Sequence, residues 1–195
     1  MQGYGAQAEL LAARYESLAF AAVHASVLDL FPPPPAHVLD IGAGSGRDAA
    51  HLADLGHAVT ATEPSPEMRA AARRLHPEAR IDWRDAALPA LPGLTAPFDL
   101  VLLTAVWMHL DGPERAAALP RLAQLLAPGG RLILSIRHGP VPEGRRMFTV
   151  DPRETIDQAA AAGLRLLRHL DEASKQRANW LAGIHWTRLA FERPA

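Results

Sequence analysis

Three glycines at alternate positions, Gly42, Gly44 and Gly46, sit in the run VLDIGAGSGRD between residues 38 and 48. They follow a short apolar segment and open a stretch with helical spacing. Glycine accepts positive φ and lets a ligand approach the backbone closely, so this turn is a candidate cradle. The chain has no G-x-x-x-x-G-K-[ST], which excludes a nucleoside-triphosphate loop of that type. A dinucleotide fingerprint wants glycine or alanine at the third position of G-x-G-x-x-G/A. Arg47 stands there, and its bulk works against the close helix–strand packing that fingerprint needs.

Two histidines fall just after apolar runs: His109 in AVWMHL and His138 in SIRHGP. Histidine titrates near neutral pH and can take a proton from a nucleophile. Each has an equal structural reading, His109 packing under a loop and His138 making a structural hydrogen bond. Trp107 suits either a lid over a cofactor or substrate, where its face would favour a cation, or a place in the core. The segment from Arg137 to Arg153, RHGPVPEGRRMFTVDPR, holds four arginines and reads as a substrate lid. Arg137 lies at its start, and Arg145 with Arg146 can grip a carboxylate or phosphate through paired bonds. The alternative is a pair of solvated loop arginines. His51, His57, His76, His169 and His185 show neither H-x-x-x-H nor H-E-x-x-H spacing, so no metal site is expected.

These residues need elements to hold them. With 195 residues, 49% of them hydrophobic, the chain is long enough for one packed domain. Lys and Arg number 20 against 21 Asp and Glu, so there is no basic excess to suggest a polyanion partner. Cysteine is absent, which excludes disulfides and thiolate chemistry. No signal-like leader and no long apolar run is visible, and a cytoplasmic location is the simplest expectation.

The proline run Pro32–Pro35 separates a helical stretch, Ala6 to Leu30, from a regular alternation. Strands are predicted at 37–41, 57–62, 79–83, 98–104 and 131–136. Helices are predicted at 47–55, 66–75 (capped by Ser65) and 113–126, the last ended by the turn Ala127–Gly130. Beyond them come a helix at 151–162, strands at 164–170 and 184–191, and a polar loop at 171–180. Near-continuous apolar strands alternating with helices imply a parallel sheet covered on both faces. The two late strands, joined by a short connection, should pair antiparallel. The expected fold is α/β, Rossmann-like and doubly wound: seven strands, mostly parallel, one antiparallel near the edge, with helices on both faces.

Four ordered segments now carry a resemblance: VLDIGAGSGRDAAHLADLGHAVTATEPSPEM, IDWRDAALPALP, FDLVLLTAVWMHL and LLAPGGRLILSIRHGP. Together, over roughly residues 36–139, they resemble the class I S-adenosylmethionine-dependent methyltransferases, and the late LRLLRHLDEASKQRANWLAGIHWTRLAFER looks like that family's closing pair of strands. The resemblance implies S-adenosyl-L-methionine as cofactor and S-adenosyl-L-homocysteine as product. It implies that Asp40 sits near the cofactor's ammonium and that Gly42, Ala43 and Gly44 present backbone to the methionine part. It implies that Glu63 accepts both ribose hydroxyls, that Pro64, Ser65 and Met68 border ribose and adenine, and that Asp85 and Ala86 meet the adenine amino group. Thr104 and Ala105 would lie beside the sulfonium. Tyr15 and Tyr4 would lie over the cofactor if the N-terminal helix closes the site. The organisation so implied is a single methyltransferase domain over 1–195, with a helical cap and proline linker at 1–35, a cofactor-binding core at 36–139, and a substrate loop with closing strands at 140–195.

Near-neutral charge favours a small-molecule acceptor methylated at nitrogen or oxygen by in-line displacement. Rival readings are a methyltransferase acting on RNA or protein, motivated by the arginines of 137–153, and a non-catalytic S-adenosylmethionine-binding module. The TAVW that ends the fourth strand lacks the N-P-P-Y type signature and speaks against DNA. No membrane partner is expected, and the chain reads as a monomer or homodimer.

Overall fold

A computed structural model describes residues 8–95 and 97–195. Tyr4, Ala6 and the rest of residues 1–7 lie outside the described residues. The elements in chain order are α1 (Ala8–Glu16), α2 (Phe20–His24), a 3-10 turn (Leu28–Leu30), β1 (His37–Ile41), α3 (Arg47–Asp54), β2 (Ala58–Thr62), α4 (Pro66–Leu75) and β3 (Ile81–Arg84). Next come β4 (Phe98–Leu103), a 3-10 turn (Trp107–His109), α5 (Gly112–Leu125), β5 (Leu126–His138), α6 (Pro152–Ala161), β6 (Arg165–Ala173), α7 (Arg177–Leu181) and β7 (His185–Glu192).

All seven strands form one sheet in the order β3-β2-β1-β4-β5-β7-β6. β7 runs antiparallel to both β5 and β6, and the remaining pairs are parallel. This is the expected doubly wound sheet, with the reversed strand one place in from the edge. Two apolar layers cover its faces. One gathers Leu39, Val101, Leu103, Leu119 and Phe191 under α5 and α6; the other gathers Val38, Leu52, Leu100 and Ile133 under α2 and α3. Strand order reverses between β1 and β4, and ligands of such sheets bind at that crevice, outside the strands' carboxyl ends.

The helix starts follow their sequence signals. The Ser65 hydroxyl accepts from the Met68 amide at 3.2 Å with Pro66 in the first turn. Asp111 and Glu114 close a reciprocal capping box on α5 at 2.9 and 2.8 Å.

Three expectations needed correction. The stretch read as one helix to Leu30 is broken after Glu16: the Ser17 hydroxyl donates to the Arg14 carbonyl at 2.7 Å, ending α1, which packs on α4, while α2 turns to pack on α3. The turn Ala127–Gly130 lies inside β5 rather than before it. There Gly129 (φ +77°) donates to the Arg193 carbonyl at 2.7 Å, and the register against β4 slips between Phe98 and Leu100, forming a bulge. The polar segment 171–180 extends β6 to Ala173 and then forms α7 from Arg177. Among the described residues no helix is long and apolar enough to cross a membrane.

Candidate active site

A cavity of about 290 Å³ opens at the carboxyl ends of β1, β2 and β4 and extends across β5 and β7. Its floor is the glycine turn. Gly42, Gly44 and Gly46 all have positive φ (+67°, +57° and +86°), and a Cβ at Gly42 would lie 2.7 Å from Cγ2 of Val106. The turn is pinned to the end of β2, because the Ala43 amide donates to the Thr62 carbonyl at 2.9 Å. Glu63, buried just after β2, accepts from the Gly44 amide at 3.2 Å and the Ser65 amide at 2.9 Å. Burial pushes its carboxyl up, against the pull of those two amides.

Asp40 lies near the end of β1, at the mouth of the glycine turn. It is buried, and its Oδ2 has no hydrogen-bond partner among the described residues. Burial, with the like charges of Asp48 and Glu63, pushes its pKa well above the usual carboxylate range. Asp48, in the first turn of α3, is held the other way. Burial would raise it, yet His24 at 2.9 Å and Arg47 at 2.7 Å keep it below the usual range. The Thr104 hydroxyl at the end of β4 also donates to Asp48, at 2.8 Å. Arg47 donates on to the Tyr15 carbonyl at 3.1 Å, which ties α1 to the glycine turn. The Tyr15 ring lies beside Gly44.

Of the residues singled out from sequence, Asp40, Gly42, Ala43, Gly44, Glu63, Met68, Thr104, Ala105, Tyr15, His109, Arg137 and Arg145 all line this one cavity. Ala105 has φ +61°, and its amide donates to the Ser135 hydroxyl at 2.8 Å. His109, half-buried on the turn after β4, places Nδ1 2.7 Å from the Arg146 carbonyl. A carbonyl only accepts, so Nδ1 carries the proton and Nε2 of the neutral ring is the basic nitrogen. Burial, together with the nearby charges of Arg145 and Arg137, holds this imidazole below its ordinary range.

Other candidates stand elsewhere. Trp107 does not face a ligand: it is fully buried, and its indole N–H donates to the Thr155 hydroxyl at 3.0 Å in the core beneath α6. A large aromatic with one polar atom satisfied inside is most stable there. Arg146 does not reach the cavity either. Its guanidinium pairs with Asp111 at 3.0 Å and Glu114 at 2.8 Å, pinning the loop to the start of α5. His138 sits on the β5–β7 seam, stacked on His185 at 4.8 Å and 2.8 Å from the Thr187 hydroxyl. That hydroxyl donates to Asp171 at 2.6 Å, so His138 Nε2 must donate to it and is no base there. Asp85 is largely exposed and pairs with Arg69 at 3.2 Å; Ala86 is core; Pro64 and Ser65 are half-buried at the start of α4. None of these four lines the cavity.

Sequence reasoning passed over Asp48, His24, Arg14, Glu172, Asn179 and Arg188. All but His24 line the cavity. Asp48 had a signal, since acids favour the first turn of a helix. The others are brought in by distant elements. Arg188 on β7 is buried, donates to the Val23 carbonyl at 2.7 Å and lies 3.3 Å from a Glu172 oxygen. Among the described residues no three acids or histidines come together as a metal site.

The fold and its cradle define a class of protein, and comparison gives the same class. Residues 38–130 match the family model described as a methyltransferase domain. A TehB-like SAM-dependent methyltransferase from Corynebacterium glutamicum superposes with TM-score 0.72 at 25% identity, covering 96% of this chain and 98% of that one. A 1,6-didemethyltoxoflavin-N1-methyltransferase from Burkholderia thailandensis, solved with 1,6-didemethyltoxoflavin and S-adenosylhomocysteine bound, superposes with TM-score 0.66 at 25% identity, covering 96% and 79%. A ubiquinone biosynthesis O-methyltransferase of Xylella fastidiosa is 37% identical over 107 residues, which is 53% of this chain and 43% of the relative. The chain thus spans less than half the length of the curated relatives it matches. Residues 38–130 thus match a methyltransferase domain, and the chain has the fold of solved S-adenosylmethionine-dependent methyltransferases.

Proposed function

We propose that this protein transfers a methyl group from S-adenosylmethionine to a nitrogen or oxygen of a small molecule, with the donor lying along the glycine turn. The observation that carries the reading is Asp40: a buried carboxyl with an unpartnered oxygen, destabilised as an anion by its acidic neighbours and facing a cavity. A cation is what would relieve it, and the donor brings an ammonium and a sulfonium. Glu63, already aligned by two backbone amides, is placed to accept the ribose hydroxyls. Met68 and Tyr15 would flank the adenosine, and Thr104 and Ala105 the reacting end. Asp85, outside the cavity, gives the adenine side little support. In this reading 36–139 holds the donor and 140–195 supplies part of the acceptor side.

When bound, the cofactor supplies an electrophilic methyl on positive sulfur. The chain's work is to align the nucleophile behind that methyl, exclude water and take up the proton released if the nucleophile arrives protonated. The nucleophile would take the methyl while the bonding electrons stay on sulfur, and the His109 imidazole would take up the released proton. His109 suits this because it is neutral at pH 7, with its tautomer fixed by the Arg146 carbonyl.

His109→Gln tests the assignment against a small-molecule acceptor panel. The expected result is a fall in kcat of roughly 10²–10⁴-fold with S-adenosylmethionine affinity unchanged. In the wild type kcat/KM, which reports the free enzyme, should stay level as pH falls towards 6.5 and drop only below it, because the imidazole is held low. A wild-type kcat/KM that already halves between pH 8 and 7 refutes the role. Failure of folded protein to bind S-adenosylhomocysteine in calorimetry refutes the donor reading.

A further inference from the structure

We propose that the acceptor half of the cavity is an anion site, so that the methyl acceptor carries a carboxylate or phosphate received by Arg14, Arg137 and Arg145 beside His109. The inference rests on the donor reading above and adds the acceptor's charge. Arg14 comes from α1, Arg137 from the end of β5 and Arg145 from the loop that follows; the fold carries all three to one cavity.

The acids lining that cavity are committed elsewhere. Asp48 is held by Arg47 and His24, Glu63 by the Gly44 and Ser65 amides, and Glu172 lies 3.3 Å from Arg188 and 3.6 Å from Lys175. Asp40 belongs to the glycine turn at the other end. Arg14 and Arg137 form no ion pair among the described residues. Arg14 donates to the Asn179 side-chain oxygen at 3.0 Å and Arg137 to the Pro140 carbonyl at 2.8 Å. Neutral oxygens satisfy their N–H groups without balancing their charge.

The three cations feel one another. Burial, then the charges of Arg145 and Arg14, hold the Arg137 guanidinium below its ordinary range, and Arg145 and Arg137 both weigh on His109. Like charges gathered around a space cost free energy that a bound anion returns. Guanidinium forks match carboxylate and phosphate in shape as well as charge.

A nucleic-acid backbone fits less well, because it needs a continuous basic surface. Outside the cavity many arginines sit beside acids: Arg69 by Asp85, Arg84 by Asp82, Arg146 by Asp111 and Glu114, Arg165 by Glu192, Arg168 by Asp29. Inside it, Arg14 and Arg137 have no such acid beside them among the described residues. An anion placed there would also offset the arginine charges that suppress His109, raising its basicity only when an acceptor is present.

The test uses wild-type protein saturated with S-adenosylhomocysteine and titrated by NMR with benzoate, phenyl phosphate, benzamide and benzyl alcohol. The expected result is that benzoate or phenyl phosphate binds about tenfold or more tightly than the neutral pair. Which of the two wins distinguishes a carboxylate acceptor from a phosphate one. Arg137→Gln should weaken the anionic probes about tenfold, Arg137→Lys less, and both should keep S-adenosylhomocysteine affinity within about twofold. Arg14→Gln gives the same readout should Arg137→Gln not fold. Benzoate should also raise the His109 imidazole pKa. Equal binding of neutral and anionic probes, no uptake of either anion, or no loss in Arg14→Gln and folded Arg137→Gln overturns the anion site while leaving the donor reading intact. A short single-stranded RNA that binds with steep salt dependence and displaces benzoate overturns the small-molecule assignment. Failure of the wild type to take up S-adenosylhomocysteine strikes the donor reading instead.

Discussion

Replacing Asp40 with Asn should move stability and cofactor affinity in opposite directions. In the cofactor-free protein the Asp40 carboxyl is buried, lacks a partner at Oδ2 and faces the like charges of Asp48 and Glu63. Its folded-state pKa lies above the unfolded value of 3.8, so it favours the fold at low pH and loses that contribution as pH rises through the raised value. Asn cannot ionise, so Asp40→Asn should be as stable as wild type or more so at pH 7, and its melting temperature should lack that pH slope. The donor should feel the reverse. A hydrogen bond to a charged group is worth about 1.5–3 kcal/mol, so its loss should weaken S-adenosylmethionine binding roughly 10- to 150-fold. The wild type must release a proton to bind a cation wherever Asp40 is protonated. Its affinity should therefore tighten with pH across that window, and its calorimetric enthalpy should vary with buffer ionisation enthalpy. Both dependences should vanish in Asp40→Asn. The assays are calorimetry in two buffers at several pH values and thermal denaturation of the cofactor-free protein. Binding by Asp40→Asn within twofold of wild type would refute the pairing of this carboxylate with the donor's cation.

Two further substitutions test how the site is held. Gly42→Ala introduces a side chain at φ +67° and 2.7 Å from Val106, so it should cost about 1–3 kcal/mol of stability; Gly42→Ala with Val106→Ala should recover only the steric part in denaturant melts, and full recovery contradicts the backbone-strain argument. Asp48→Asn removes the charge that Arg47 and His24 share and that receives Thr104, so it should cost about 3–5 kcal/mol, read as a melting-temperature drop on the order of 10 °C. Because Asp48 is held below 3.8 in the fold, its contribution is present above that pH and lost on acidification. The gap between wild type and Asp48→Asn should therefore narrow below pH 4, and a constant gap contradicts the charge argument.

The glycine-turn half of the cavity was legible in sequence because it depends on local backbone chemistry. A glycine turn after a strand needs no distant partner to be recognised, and Glu63 follows its strand directly. Ser65 and Pro66 mark the start of α4, and the structure keeps that start. Trp107 and Arg146 were not legible in the same way. Whether an aromatic at a strand end faces a cavity or Thr155 depends on α6, about fifty residues later. Whether a loop arginine meets solvent, substrate or the Asp111–Glu114 cap depends on where that loop lands. His138 was misleading for a third reason: β5 runs to residue 138 and pairs with β7, so a residue taken as a strand-end loop is instead held in a ladder. Long-range pairing decided each case, and no local spacing carries it.

Charge along the cavity follows the same division. Asp40 and Glu63 stand at the ends of β1 and β2, with Asp48 paired to Arg47, while Arg14, Arg137 and Arg145 come from α1, β5 and its loop, and Arg188 on β7 lies 3.3 Å from Glu172. A cationic donor and an anionic acceptor would each be attracted to one side and repelled from the other. That would orient the two relative to each other at distances where Coulomb forces act before close contact. Transfer would remove the positive charge on sulfur, so the acidic side would hold the product less strongly than the donor. In the proposed reading the glycine turn would set where the donor lies, and the arginines from elements distant in sequence would set which way an anionic acceptor faces it.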